Sequence, residues 1–262
     1  MELKKLSHPL KRKGPLVIVV MDGVGLRDES FGNAVAAAET PNLDRVMEGA
    51  MFCRLKAHGT AVGLPSDKDM GNSEVGHNAI GAGRIIAQGA KLVNESIASG
   101  SLWEGKSWQE LVTNCREKKS VLHFIGLFSD GNVHSHIDHL KAMLRRAKEE
   151  GVSNVRIHTL LDGRDVDEKS ALTYVRPFEQ FLDELNDADF NAAIASGGGR
   201  MLVTMDRYEA DWEIVERGWK THVLGEAERF PSAEEAITTL RERDDTVNDQ
   251  FLPPFVVEED SQ

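Results

Sequence analysis

The chain has 262 residues, 40% hydrophobic and 28% charged, a globular balance with enough apolar side chains to bury a core in one large domain or two smaller ones. Its formal net charge of −12 sets the surface against nucleic acid and anionic membrane, so an anionic ligand needs a local basic cluster. Two cysteines without CxxC spacing, Cys53 and Cys115, exclude a disulfide scaffold and a zinc ribbon and fit a reducing compartment, and the longest wholly apolar run, 16–21, is far short of a membrane span.

The basic opening MELKKLSHPLKRKG has no signal-peptide apolar segment behind it, because Asp22 ends the run that follows. It reads as a solvated arm. The run 16–21, β-branched and bounded by glycines, predicts a buried parallel strand. TPNLDRVMEG predicts a helix with Thr40 as N-cap, Pro41 at its first position and Gly49 past its end. DMGNSEVGH, 69–77, is too polar for a buried strand and too glycine-rich for a plain helix. KLVNESIAS reads as a helix ending at Gly100, followed by a loop.

From there strands and helices alternate. Strands are predicted at 121–127, 154–161 and 190–199. Amphipathic helices are predicted over 136–151, 168–186 with a kink at Pro177, 211–220 and 232–244. The pattern implies an α/β fold with mostly parallel sheets and helices on both faces. Four polar motifs fall just past predicted strands: Asp22-Gly23, Ser129 to His134, Asp162 to Asp165, and Ser196 to Arg200. Open α/β sheets bind ligands there, although each motif alone is compatible with an ordinary glycine turn.

GSLWEGKS, 100–107, matches the P-loop letters. A P-loop joins a buried strand to a helix, and here a helix precedes it, with bulky Leu102 and Trp103 and anionic Glu104 in the would-be cradle. The match is read as accidental, and a nucleotide-binding protein as the weakest functional alternative. His134, His136, Asp138 and His139 have the composition of a zinc site, but one ligand-binding histidine, His134, is the better reading, with Asp138 and His139 on a solvated helix face. Arg164, Arg200 and Arg207 follow strand ends and could form an anion pocket, or pair with Asp165, Asp206 and Glu209 at the surface. Ser73 lacks the G-x-S-x-G elbow and a spaced triad; metal coordination can activate such a serine, with Asp22 the obvious ligand, but one carboxylate and one serine are not a complete site.

The blocks VVMDGVG, HGTAVGLPSDKDMGNSEVGHNAIGAGR, FSDGNVHSH, LDGRDV, ASGGGRM and TMDRYEADWEIVERGW, in order over about residues 15 to 255, resemble the cofactor-independent (2,3-bisphosphoglycerate-independent) phosphoglycerate mutases. The resemblance implies interconversion of 2- and 3-phosphoglycerate through a phosphoserine, in glycolysis and gluconeogenesis. It implies an alkaline-phosphatase-like metal domain, of which 1–84 would be the opening piece, and a phosphotransferase domain, 85–262, here shorter than in the family. It makes Ser73 the nucleophile, Asp22 and Ser73 ligands of a divalent metal, and His134, Arg164, Asp165, Arg200 and Arg207 substrate ligands, with Asp165 also exchanging a proton. Two divalent ions are implied, usually manganese, with magnesium or cobalt as substitutes, and no 2,3-bisphosphoglycerate. A cytoplasmic monomer without nucleic-acid or membrane partners is expected. The family continues beyond this sequence with further metal ligands, so this chain by itself is expected to be inactive; the alternative is a phosphoglycerate-binding module without turnover.

Overall fold

The computed structural model describes residues 14–15, 17–21, 24, 26–49, 52–205 and 210–258. The chain divides into two compact units, Met1–Leu55 and Lys56–Gln262.

In the first unit, α1 (Ala34–Ala37) is capped by Asn33, whose side chain accepts from the Ala36 amide at 3.2 Å. Helix α2 (Pro41–Met47) starts with Pro41 at N1, where a missing N–H costs nothing. Thr40 does not cap the backbone: its hydroxyl donates to Asp44 Oδ1 at 2.7 Å. The strand predicted at 16–21 is not formed: residues 17–21 have no strand assignment, and Val17 and Val19 are 73% and 76% exposed. β-Branched composition supplies propensity only. A buried parallel strand also needs neighbours on its edges, and the first unit has no other strand among its described residues.

In the second unit a 3₁₀ turn at Gly59–Val62 precedes α3 (Ser73–Ala82), α4 (Gly89–Ser99), α5 (Ser101–Glu104) and α6 (Lys106–Lys118). Two of these overturn the sequence reading. The glycine-rich motif at 73 is helical, because Asn72 caps it by accepting from the Val75 amide at 3.1 Å. The stretch after Gly100 is short helix rather than loop. Lys106 opens α6 and is paired with Glu110 at 3.6 Å on the surface, and helix α4 rather than a strand precedes the motif, so no phosphate cradle forms.

The remaining elements are β1 (Leu122–Leu127), α7 (Ile137–Glu149), β2 (Asn154–Leu161), α8 (Ala171–Leu185, with Pro177 inside it), β3 (Asn191–Gly199), α9 (Arg200–Val203), α10 (Trp212–Trp219) with a π-helical extension Lys220–Leu224, β4 (Glu228–Phe230), α11 (Ala233–Arg243) and β5 (Phe255–Val257); β1 to β3, α7, α8, α10 and α11 fall where predicted. The sheet order is β1-β2-β3-β5-β4. All pairs are parallel except β3 with β5. The short strands β4 and β5 carry too few residues for the sequence pattern to show them.

One face of the sheet makes the core. Val155, Ile157 and Leu161 of β2 and Ala192 and Ile194 of β3 pack in one cluster with Val112 of α6, Leu144 of α7, Phe178 of α8 and Ile237 of α11. Phe178 is fully buried, edge-on to Phe128 at 4.9 Å. The π-helical extension packs against β3, and its His222 reaches Ser196 and the neighbourhood of His158, so helical structure covers both faces. β3 ends in glycines because the chain crowds it: a Cβ on Gly199 would lie 2.3 Å from the Gln250 carbonyl oxygen.

Candidate anion-binding site at the carboxyl edge of the sheet

The ends of β1, β2 and β3 converge on one buried carboxylate, Asp162. Its Oδ2 accepts from the Ser129 hydroxyl at 2.6 Å. Its Oδ1 accepts from the backbone amides of Arg164 and Asp165 at 3.2 and 3.1 Å, which folds the Gly163 turn back on the strand end. The same oxygen accepts from Arg200 Nη1 at 2.9 Å, and Asp165 Oδ2 accepts from that nitrogen at 3.4 Å. Asp162, Ser129 and Arg200 are 3%, 1% and 2% exposed. Charges so deeply placed are tolerated only when paired and hydrogen-bonded. Arg200 Nε is buried with no hydrogen-bond partner among the described residues.

Around this centre the loops carry further polar groups. Arg164 and His134 are exposed, and Asp165 is half-buried. The loop leaving β1 touches the one leaving β2: a Cβ on Gly131 would lie 2.9 Å from Asp165 Cβ. Tyr174 of α8 donates its hydroxyl to Asp130 Oδ1 at 2.6 Å; burial, then the Asp130 carboxylate, pushes its phenol up to about 12, so it stays a donor. His136 caps α7 by accepting from the Asp138 amide at 3.1 Å, and Asp138 is exposed as expected. His139 is not solvated: half-buried, it contacts Asn94 Oδ1 at 2.5 Å, and burial lowers its pKa.

Ser73 is the first residue of α3 and is exposed. His77, one turn on, does not serve it as a base through Nδ1, because that nitrogen donates to the Ser73 backbone carbonyl at 2.7 Å. The structure thus brings Arg164, Asp165 and Arg200 together through Asp162, with the His134 loop alongside. Asp22 and Arg207 lie outside the described residues. Sequence reasoning placed Ser129 and Asp162 in polar motifs past strand ends but did not single either out from its neighbours as a site residue.

No group of three or more His, Cys, Asp or Glu among the described residues converges as a metal shell. What these residues offer is donors and cations suited to an anion. No helix among them is long and apolar enough to cross a membrane.

A mostly parallel sheet with helices packed on it and a buried Arg–Asp–Ser centre past its carboxyl edge places the chain among the α/β proteins. The chain belongs to the family described as BPG-independent PGAM N-terminus (iPGM_N), whose profile matches residues 93–262. It is 54% identical over 253 residues to a Leptospira interrogans protein named "Probable 2,3-bisphosphoglycerate-independent phosphoglycerate mutase", covering 96% of this chain and 46% of that protein. It is 51% identical over 259 residues to the 2,3-bisphosphoglycerate-independent phosphoglycerate mutase of Zea mays, covering 97% of this chain and 46% of that protein. The crystal structure of Leishmania mexicana phosphoglycerate mutase at low cobalt concentration superposes with a TM-score of 0.80 at 50% identity, over 87% of this chain and 42% of that one. The chain therefore spans about half the length of the relatives it matches.

Proposed function

We propose that this sequence is the substrate-holding portion of an isomerase that interconverts 2- and 3-phosphoglycerate without 2,3-bisphosphoglycerate. The observation that carries this reading is Arg200: a buried guanidinium at the sheet edge, anchored by Asp162 and Asp165, at the turn where exposed Arg164 gives its backbone amide to the same Asp162. The doubly charged phosphoryl and carboxylate ends of a phosphoglycerate match such forks. Arg164, Arg200 and Arg207 would hold these ends, with His134 reaching the phosphoryl side.

In the forward step the Ser73 hydroxyl gives up its proton, which passes through solvent to the Asp165 carboxylate, and the Ser73 oxygen bonds to phosphorus as the bond between phosphorus and the glycerate oxygen breaks. Asp165 delivers that proton to the freed glycerate oxygen. The glycerate reorients, Asp165 takes the proton from the other hydroxyl as its oxygen bonds to phosphorus, and the proton returns to the Ser73 oxygen as the phosphoserine bond breaks. Ser73 at the N-terminus of α3 suits the intermediate, since a phosphoserine there gains from the helix dipole. The resemblance adds two divalent ions, manganese with magnesium or cobalt as substitutes, with Asp22 and Ser73 among their ligands; the described residues supply the anion-binding part of that site rather than its cation shell. It also adds the division into 1–84 and 85–262, a cytoplasmic setting and a monomer.

Titration of the chain with 3-phosphoglycerate tests the reading. Binding is expected, with affinity falling about one to two decades in Arg164→Ala. Because Arg164 is exposed, that loss should come without a change in stability. Absence of binding by the parent chain overturns the substrate assignment. A second reading is binding without turnover by this chain alone, in which the run 17–21 stays exposed. A coupled assay with manganese and 3-phosphoglycerate decides between the two.

A further inference from the structure

Helix α3 and the 3₁₀ turn before it have their own small core of Val62, Leu64 and Val75, separate from the main cluster behind the sheet. The place of α3 relative to the sheet edge is therefore not set by that main cluster. A side-chain hydrogen bond crosses between them: Asn132 Nδ2 donates to Asp69 Oδ1. Asp69 lies four residues before Ser73, and Asn132 two before His134. Both ends are braced. Asp69 Oδ2 accepts from the amide and the hydroxyl of Ser66, each at 2.7 Å. Burial acts to raise the Asp69 pKa, but the bonds from Asn132 and Ser66 outweigh it and hold the carboxyl below the usual range. Asn132 has φ 58°, a left-handed conformation that asparagine tolerates better than most residues, and it follows Gly131, which abuts Asp165.

The geometry points to Asp69 and Asn132 as positioning residues whose hydrogen bond fixes the Ser73 helix against the loop that carries His134. For its catalytic consequence this inference rests on the mutase reading; the clasp itself does not. Phosphoryl transfer is sensitive to such placement, because a displacement of about 1 Å between nucleophile and substrate can cost roughly a hundredfold in rate.

Hydrogen exchange of the 262-residue chain tests the clasp. Asp69→Ala and Asn132→Gly, the latter keeping the left-handed backbone unstrained, are each expected to raise exchange of amides in 64–82 about tenfold while β1 to β3 stay protected. The exchanged pair Asp69→Asn/Asn132→Asp should restore protection: the new amide donates to the new carboxylate, and its carbonyl oxygen can still take the Ser66 bonds. Parent-like exchange in both single variants, or no recovery in the exchanged pair, overturns the proposal. In a full-length mutase carrying these residues, the single variants should lose about tenfold in kcat with KM within about twofold, and the exchanged pair should recover it. An unchanged kcat, or a loss that the exchanged pair does not recover, overturns the positioning role. If the parent enzyme shows no Ser73-dependent turnover, the mutase reading fails, while hydrogen exchange still decides the clasp.

Discussion

Arg200 donates to Asp162 at 2.9 Å with both side chains almost wholly buried, a side-chain tie placed just past the point where β2 and β3 pair through Leu161 and Gly199. The pair serves the fold as well as the ligand. Removing one partner leaves a buried charge uncompensated, which costs about 3–5 kcal/mol. Asp162→Ala should therefore destabilise the second unit by about that much in urea unfolding. Asp165→Ala, whose contact to Arg200 is longer at 3.4 Å and less buried, should cost clearly less. Equal losses in the two variants would contradict this ranking.

Binding and stability should separate along the same line. From sequence alone, Arg200→Ala is expected to act on a ligand much more than on stability. Burial changes that: Arg200→Ala should lower both, whereas exposed Arg164→Ala should lower 3-phosphoglycerate affinity only. Calorimetric titration beside thermal melts of both variants reads the difference directly.

A polar chain on the face of the sheet opposite the core predicts an acid limit to stability. His123 Nδ1 meets His158 Nε2 at 2.9 Å, His158 Nδ1 meets Ser196 Oγ at 2.6 Å, and Ser196 Oγ meets His222 Nδ1 at 2.8 Å. Burial holds His158 and His222 down from 6.5 to about 4, and the neighbouring histidines add to the effect at His158. The unfolded chain takes up these protons near pH 6.5, but the folded chain only near pH 4. Stability should thus be level above about pH 7 and fall progressively between pH 6.5 and 4. His222→Gln should flatten that slope in urea midpoints measured across the window. A slope identical to the parent's would remove His222 from the account.

The strands β1 to β3 and the helices α7, α8, α10 and α11 were legible because each shows its period and is bounded by turn or cap residues, so local pattern and tertiary demand agree; α9, β4 and β5 are too short to show one. Two kinds of feature were not. Residues 17–21 have strand chemistry, but pairing is not a local property and the run stays open. The helix at Ser73 was hidden by its glycines, since what starts it is one Asn72 side chain accepting from Val75. In the site, Arg200 and Asp165 could be named because their residue types announce anion chemistry. Asp162 could not be separated from Asp165 in LDGRDV, because only the fold shows which carboxylate turns inward toward Ser129 and Arg200.

Ser73 should be dispensable for the fold and indispensable for phosphoryl transfer. It is exposed, and the helix it opens is capped by the Asn72 side chain rather than by its own. Ser73→Ala leaves that cap intact and places a good helix former at N1, so melting should shift little. In a full-length mutase carrying this sequence the same change should abolish interconversion, because DMGNSEVGH holds no other hydroxyl to accept the phosphoryl group. Binding of 3-phosphoglycerate should persist, since Arg164 and Arg200 are untouched. Mass spectrometry of the acid-quenched parent enzyme should find the added phosphoryl mass on the peptide containing Ser73, and on no peptide of the Ser73→Ala protein. Turnover in that variant near the parent's, with an unmodified peptide, would show that Ser73 is not the nucleophile.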